Sequence, residues 1–503
     1  MYRTVSQLDA AGSTLAATYP QLCSQFVLPD LSVQGRPVTV LRLRAGGGED
    51  RRGVLLVGGT HARELMNPDL LIEMAVDIVA SYLTGNDVVL DGRTWPAADL
   101  RLILETIDLY LLPCVNPDGR HHVMTVDGLW RKNRRDNPGT ACDGVDLNRN
   151  ADLLWGVTEG QTSCAPCVDT YCGPSAFSEP ETRNVRYLLD AHAIDCFADV
   201  HSYSELVLHP WGHAPNQTGD PSKRFTTLAA ATCQPITDPS YAEYMSPRDL
   251  LQFETVGDRI VQAIADVRGR HYTRQAGVQL YPTTGTLSDY AYGRHIADSA
   301  RRKTYGFTFE TGPWQGNVAD SFHPANPEPI KREAESGLLA LVQQSICAIE
   351  LIGWRLLGRD TEIQALRRVR DELLGTTEEG RGWIALFERV QVPLLATVLE
   401  DQDLARSAAR LLADAGTQVS DDRAVLTPEV AGAARQFVND LAGRGPSELR
   451  RDLRVMGESL AGFEGLSTAE ILHSMMERGS DNADGSGSDN GDGFDNGSGP
   501  PDA

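Results

Sequence analysis

No run of apolar residues in the chain approaches 18, which excludes a membrane-spanning helix. Positive charge is in deficit, with 46 Lys and Arg against 69 Asp and Glu and a net of −23. That balance disfavours a nucleic-acid polyanion or an anionic membrane surface, so no nucleic acid and no membrane is expected among the partners. The opening MYRTVSQLDAAGSTLAATYP has neither the charged start nor the apolar stretch of a secretory signal, and nothing in it directs export. Three catalytic signatures are also missing. Without H-E-x-x-H, G-x-S-x-G or a P-loop, the thermolysin-like, serine-hydrolase and nucleotidase readings lack a starting residue.

What is present is a globular composition, 41% apolar and 23% charged over 503 residues. Up to about residue 350, short apolar runs alternate with longer amphipathic stretches, the pattern of a mixed α/β domain. Val54 to Val57, Leu109 to Val115, Phe197 to Val200 and Thr304 to Phe309 read as strands, with Asp69 to Tyr82 as the helix after the first. Ser178 with Glu181 reads as a capping box opening another helix. Over residues 351–478 the composition shifts to Leu, Ala, Arg and Glu, and Ile363, Leu366, Val369 and Leu373 line one helical face. A packed appendage of about five helices is expected there, with starts at Thr427-Pro428 and Ser467 to Glu470 and stops at Gly375, Gly416 and Gly443. Residues 479–503 are Asp, Asn, Gly, Ser and Pro, too poor in apolar surface to order themselves, and a solvated tail is expected.

The segment VLLVGGTHARELMNP runs an apolar strand into Gly58 and Gly59, then His61 and Glu64. Ligands in α/β sheets gather at the carboxyl ends of strands, where an imidazole and a carboxylate one turn apart suit a divalent metal. ADVHSYSELVLHPWG offers His201 at another strand end, and His209 and His213 lie nearby in a loop rich in Pro and Gly. His61, Glu64 and His201 would form a His2Glu site, leaving zinc's fourth position open to water. Glu310, ending the strand TYGFTFET, is placed to act as the base, and Arg131 in LWRKNRR to stabilise an oxyanion. Cys142, Cys164, Cys167 and Cys172 crowd one segment; disulfides are favoured over a second, structural zinc.

HARE, VNPDG, LWRKNRR, GVDLNRN, HSYSELVLHPWG, YPTTGTLSDYAY and FTFETG, in this order over about residues 1–350, resemble a zinc metallocarboxypeptidase of the M14 family, the carboxypeptidase A/B type. The resemblance implies a mixed, mostly parallel eight-stranded sheet flanked by helices over residues 1–350, preceding the helical region and the tail. It implies one Zn2+ held by His61, Glu64 and His201, with Glu310 as general base and acid and Arg131 at the oxyanion. Asn148 and Arg149 would bind the terminal carboxylate of a peptide or protein substrate, Tyr281 would close over it, and Arg63 would add a further substrate contact. The pairing Cys142 to Cys167 is implied in the same way.

By alignment Ser288 falls at the floor of the pocket for the terminal side chain, where it is neither apolar nor charged. Asp199 is a second candidate for that wall and would favour basic ends; Leu280 and Thr308 favour a hydrophobic or broad preference. The catalytic pattern begins almost at Met1, so no inhibitory propeptide is expected. A related zinc amidohydrolase, a deacylase or a trimming enzyme for cell-wall peptides, is the alternative, with an inactive binding module behind it. The clamp of Asn148, Arg149 and Tyr281 argues for the exopeptidase, and Glu310 with the full ligand set argues against an inactive scaffold.

Overall fold

Gly53–Gly58 reads GVLLVG, and all six residues are buried. A strand covered on both faces takes a continuous apolar run instead of an alternating one, which is the signature of a central parallel strand. A computed structural model of the chain describes residues 2–47, 51–229 and 231–346, then 401–419, 427–445 and scattered positions between 387 and 457. Eight strands, β1 (Cys23–Val27), β2 (Thr39–Leu43), β3 (Gly53–Gly58), β4 (Asp108–Leu112), β5 (Ile194–His201), β6 (Leu206–His209), β7 (Thr273–Ala276) and β8 (Tyr305–Glu310), form one sheet. Their order is β1-β2-β4-β3-β5-β8-β6-β7. The pairs β4/β3, β3/β5, β5/β8 and β6/β7 are parallel; β1/β2, β2/β4 and β6/β8 are antiparallel. This is the mixed, mostly parallel eight-stranded sheet that the sequence motifs imply.

Register is what builds the site. Glu310 at the end of β8 pairs with His201 at the end of β5, and Val200 pairs with Gly58 at the end of β3. Three adjacent parallel strands therefore stop on one line, and the residues that follow or end them meet there. Helices cover the sheet: Met66–Thr84 leaves directly from the turn after β3, and Pro247–Arg268 packs along Glu328–Gln344. Tight approaches depend on missing side chains. A Cβ on Gly306 in β8 would lie 2.2 Å from the carbonyl oxygen of Ser288, so only glycine lets the helix Leu287–Ala297 lie this close to the sheet.

Several boundaries differ from the sequence reading for identifiable reasons. β4 ends at Leu112 because Pro113 has no N–H for the ladder. Ser178 is not a helix cap: Pro180 takes the first helical position of Pro180–Ala191, Glu179 becomes the N-cap residue, and the Ser178 hydroxyl donates to the Glu179 carboxylate at 2.7 Å. Glu181 faces inward and accepts from the Val33 N–H.

The chain divides into two compact units, Met1–Leu356 with Val392–Glu400, and Leu357–Gln391 with Asp401–Ala503. In the second, the helix Pro428–Arg444 starts as the Thr427-Pro428 pair predicts, with the Thr427 hydroxyl accepting from the Val430 N–H. Gly416 does not stop a helix; it lies inside Gln402–Val419. Gly443 is also interior, and Gly445 is the C-cap. The stripe from Ile363 to Leu373, the Ser467 to Glu470 box, Gly375 and the Asp-rich tail lie outside the described residues. Among the described residues no helix is long and apolar enough to cross a membrane.

Gly306→Ala is expected to destabilise the first unit by about 1–3 kcal/mol, the usual cost of overpacking. Urea unfolding monitored by tryptophan fluorescence checks this, and an unchanged midpoint would contradict the close helix–sheet approach.

Candidate metal centre and active site

The turn after β3 is made possible by Gly59, whose φ of +64° belongs to the left-handed region and whose Cβ would lie 2.9 Å from the Pro68 ring. It brings His61 and Glu64 back over the strand end, both buried. His61 Nδ1 lies 2.8 Å from Glu64 Oε1, His201 Nδ1 lies 3.0 Å from Glu64 Oε2, and the two Nδ1 atoms are 3.0 Å apart. One ligand atom from each residue falls within 4.8 Å of the others. Ligands about 2.0–2.2 Å from a tetrahedral zinc stand roughly 3.3 Å apart, so the donor set fits the ion.

The opposite ring nitrogens have their own partners. His61 Nε2 is 3.2 Å from Asp146 Oδ1, and His201 Nε2 is 2.8 Å from Asp199 Oδ2. A carboxylate behind each imidazole fixes the Nε2–H tautomer and turns the Nδ1 lone pair inward, the arrangement that orients metal-ligating histidines. Three electron-pair donors thus converge in a buried space. Burial opposes the charge on Glu64, but His61 and His201 outweigh it and hold the carboxyl far below its ordinary range. Burial likewise opposes a proton on His201, and Asp199 and Glu64 overcome it, pushing the imidazole well above its ordinary value. The site demands positive charge, and a divalent cation meets that demand.

One cavity gathers most of the remaining candidates. His61, Arg131, Asn148, Arg149, Tyr281, Ser288 and Glu310 all line it, as do Leu280 and Thr308. Burial raises the Glu310 carboxyl to about 8, with His201 and Arg131 pulling it down and Glu64 and Asp199 pushing it up. Arg131 donates through Nε and Nη2 to Asp146 Oδ2 at 2.9 and 2.8 Å. Burial works against its charge, yet Asp146, Tyr281 and Glu64 hold the guanidinium firmly protonated. The Asn148 amide lies beside His201, and its Oδ1 accepts from the Leu287 N–H. Arg149 is buried, with Nε on the Gln161 carbonyl at 2.7 Å and Nη1 on the Asn148 carbonyl. Tyr281, by contrast, keeps about a third of its surface exposed. The hydroxyls of Thr308 and Ser288 lie 3.0 Å apart on the cavity wall.

Two candidates sit elsewhere. Asp199 is not a pocket wall: it is fully buried, and its carboxylate is taken by His201 on one oxygen and by the Thr60 hydroxyl, at 2.8 Å, on the other. Arg63 is absent from the cavity lining; its guanidinium lies 4.5 Å over the Phe322 ring and donates to the Leu129 carbonyl. The other two histidines have partners of their own, and His209, which the sequence places in a loop, instead ends β6 and lines the same cavity. His209 stacks on Phe253 and hydrogen-bonds the Pro210 carbonyl, and His213 meets Glu243 at 3.0 Å. Of the clustered cysteines, Cys142 bridges Cys167, as the resemblance implies, but Cys164 bridges the distant Cys233 and Cys172 remains a buried thiol.

Asp146 escaped the sequence reading although it stands in the quoted GVDLNRN. It is fully buried and serves His61 and Arg131 with its two oxygens. Arg131, Arg149 and His61 outweigh the burial that opposes its charge, so it stays ionised. A buried Asp two residues from a proposed carboxylate-binding pair was the available signal. Asp289, beside Ser288, was also missed; it lines the cavity and accepts from the Gly212 N–H at 2.9 Å.

The zinc carboxypeptidase family of M14 peptidases matches residues 9–339. The chain belongs to the zinc carboxypeptidase family. Carboxypeptidase A4 of Mus musculus is 30% identical over 299 residues, 59% of this chain and 59% of that protein. The chain therefore matches under two thirds of that relative's length. Carboxypeptidase B of Astacus astacus is 30% identical over 296 residues, 58% of this chain and 82% of that one. Among solved structures, bovine thrombin-activatable fibrinolysis inhibitor, in complex with tick carboxypeptidase inhibitor, superposes with a TM-score of 0.53 at 22% identity, covering 69% of this chain and 97% of that one. At that identity the likeness concerns the fold. The carboxypeptidase A of Helicoverpa armigera gives a TM-score of 0.51 at 25% identity, over 68% of this chain and 72% of that one. Zinc is the metal of this family, and among the described residues His61, Glu64 and His201 are the group able to hold a metal ion.

Asp199→Asn and Asp146→Asn are each expected to weaken Zn2+ binding by about 10–100-fold, the usual effect of removing a partner behind a ligand. Competition against a chelating dye measures this, with Asp289→Asn as a control whose affinity stays at the wild-type value. Unchanged affinity in Asp199→Asn would contradict its backing role.

Proposed function

We propose that the chain is a zinc-dependent metallocarboxypeptidase that hydrolyses the last peptide bond of peptides or proteins. One observation supports this above the others: His61 of the buried His/Glu/His group, the half-buried Glu310 and the buried Arg131 line a single cavity. In this reading His61, Glu64 and His201 hold one Zn2+. When bound, zinc supplies Lewis acidity to the scissile carbonyl and to the attacking water.

The chain's own residues do the rest. Glu310 takes the proton from the attacking water and delivers it to the departing amine, a role suited to a carboxyl whose affinity for protons is raised by burial. Arg131, held rigid by Asp146, faces the oxygen on which negative charge develops. Arg149 grips the terminal carboxylate, since a planar guanidinium matches that group with two parallel hydrogen bonds. Asn148 supports it and Tyr281, the exposed member, closes over it. Arg63, on the Phe322 ring, contacts substrate further from the scissile bond.

Ser288 and Thr308, bonded to each other, share the pocket wall with Leu208 and Leu280. Burial holds the Asp289 carboxyl above its ordinary value, and one of its oxygens accepts from the Gly212 N–H. This wall suits uncharged terminal side chains over a broad range. A mass-spectrometric scan of a peptide library with and without chelator tests reaction, end preference and metal dependence together.

Glu310→Gln should keep zinc and lose nearly all turnover; retained activity would contradict its role as base. The base acts only as a carboxylate, so activity falls as pH drops through its pKa. With zinc bound His201 is a neutral ligand, and the dication takes over its downward pull beside Arg131, which places the acid limb of kcat/KM between the ordinary 4.5 and about 8. Arg149→Gln should weaken turnover of free-carboxylate peptides far more than of C-terminal amides. Equal loss on both would point to a different zinc amidohydrolase.

A further inference from the structure

Both jaws of the proposed carboxylate clamp lean on one loop that lies outside the cavity lining. From residue 156 to 164 the chain carries no regular secondary structure, yet it is bonded along its length. The Gln161 carbonyl accepts from Arg149 Nε at 2.7 Å, and the Gln161 N–H donates to the Pro282 carbonyl at 2.9 Å, next to Tyr281. The Thr284 N–H donates to the Thr162 hydroxyl at 3.0 Å, and the Thr284 hydroxyl donates to the Val157 carbonyl at 2.6 Å. At Gly160 φ is +48°, and a Cβ would lie 2.4 Å from the Pro282 oxygen, so the loop's approach to the tyrosine segment requires glycine.

The far side of the loop is moored to residues 233–236. Cys164 bridges Cys233, the Cys233 N–H donates to the Gly156 carbonyl at 2.6 Å, and the Thr158 N–H donates to the Gln234 carbonyl at 3.0 Å. The Glu159 carboxylate accepts from the Ile236 N–H. The disulfide joins residues 69 apart in sequence, so it holds segments that local chain connectivity would not.

We infer that the loop 156–164, moored by the Cys164–Cys233 disulfide, is the positioning element that sets Arg149 against Tyr281 for the terminal carboxylate. This rests on the carboxypeptidase reading. The loop touches neither the scissile bond nor His61, Glu64, His201 or Glu310; it acts through the Gln161 and Pro282 backbone groups. A two-point grip on a carboxylate tolerates displacements of only about 0.5 Å. Releasing the mooring therefore loosens recognition of the free terminus before it affects the chemistry.

The test uses the zinc-loaded full chain as wild type, as the double variant Cys164→Ser/Cys233→Ser, and as Gly160→Ala, which keeps both cysteines and decides the matter if the double variant does not fold. Each is assayed on paired peptides ending in a free carboxylate or an amide, with zinc content and thermal unfolding recorded. The expected result is a fall of at least tenfold in the free-to-amide ratio of kcat/KM, carried by KM, with zinc content and amide turnover unchanged. A ratio within twofold of wild type in a folded variant overturns the inference, as does an equal loss on both peptides. Absence of any free-carboxylate preference in the wild type is a separate outcome: it removes the carboxypeptidase reading, and the inference falls with it.

Discussion

Two imidazole lone pairs and a carboxylate meeting at about 3 Å inside a protein repel one another unless positive charge lies among them, and burying such a group without it is costly. The fold commits to this arrangement from several directions at once. The parallel register of β3, β5 and β8 brings the strand ends together, Gly59 turns the chain back over them, and Asp146 and Asp199 hold the rings with the correct nitrogens inward. Each device is structurally unremarkable alone. Together they leave the converging atoms few places to go other than around a cation.

Asp146 links this centre to the chemistry around it. One of its oxygens meets His61 and the other fixes the Arg131 guanidinium, so the candidate ligand and the buried cation share one anchor. Arg149 follows three residues later in the same segment, and Asn148 hydrogen-bonds into the helix that carries Ser288. The strand ends carry His201 and Glu310, and the long connection between β4 and β5 carries Arg131 and Arg149.

Much of this was legible in the residues themselves. Buried parallel strands announce themselves as apolar runs, which is why Val54 to Val57 and Phe197 to Val200 were found within a few residues of their true ends. The candidate ligands His61, Glu64 and His201 follow from their position at or just beyond those ends. Asp199 is a candidate for the pocket wall from its nearness to His201 in sequence alone; residues two apart on a strand share a face, which places it beside His201 instead. Other features have no local signature. Disulfide connectivity cannot be deduced from cysteine spacing, and the bond from Cys164 to Cys233 depends on two loops that meet only in the folded chain. Likewise Ser178 lost its capping role to Pro180, a competition decided by which residue tolerates the first helical turn.

Everything proposed for the site depends on whether His61, Glu64 and His201 hold a single zinc ion through two imidazoles and one carboxylate. Zinc K-edge X-ray absorption on the purified full chain addresses it directly. The expected result is one zinc per chain in a four-coordinate N/O shell at about 2.0–2.2 Å with two imidazole signatures, lost in His61→Ala. Sulfur scattering at about 2.3 Å, or a spectrum unchanged in His61→Ala, would contradict it.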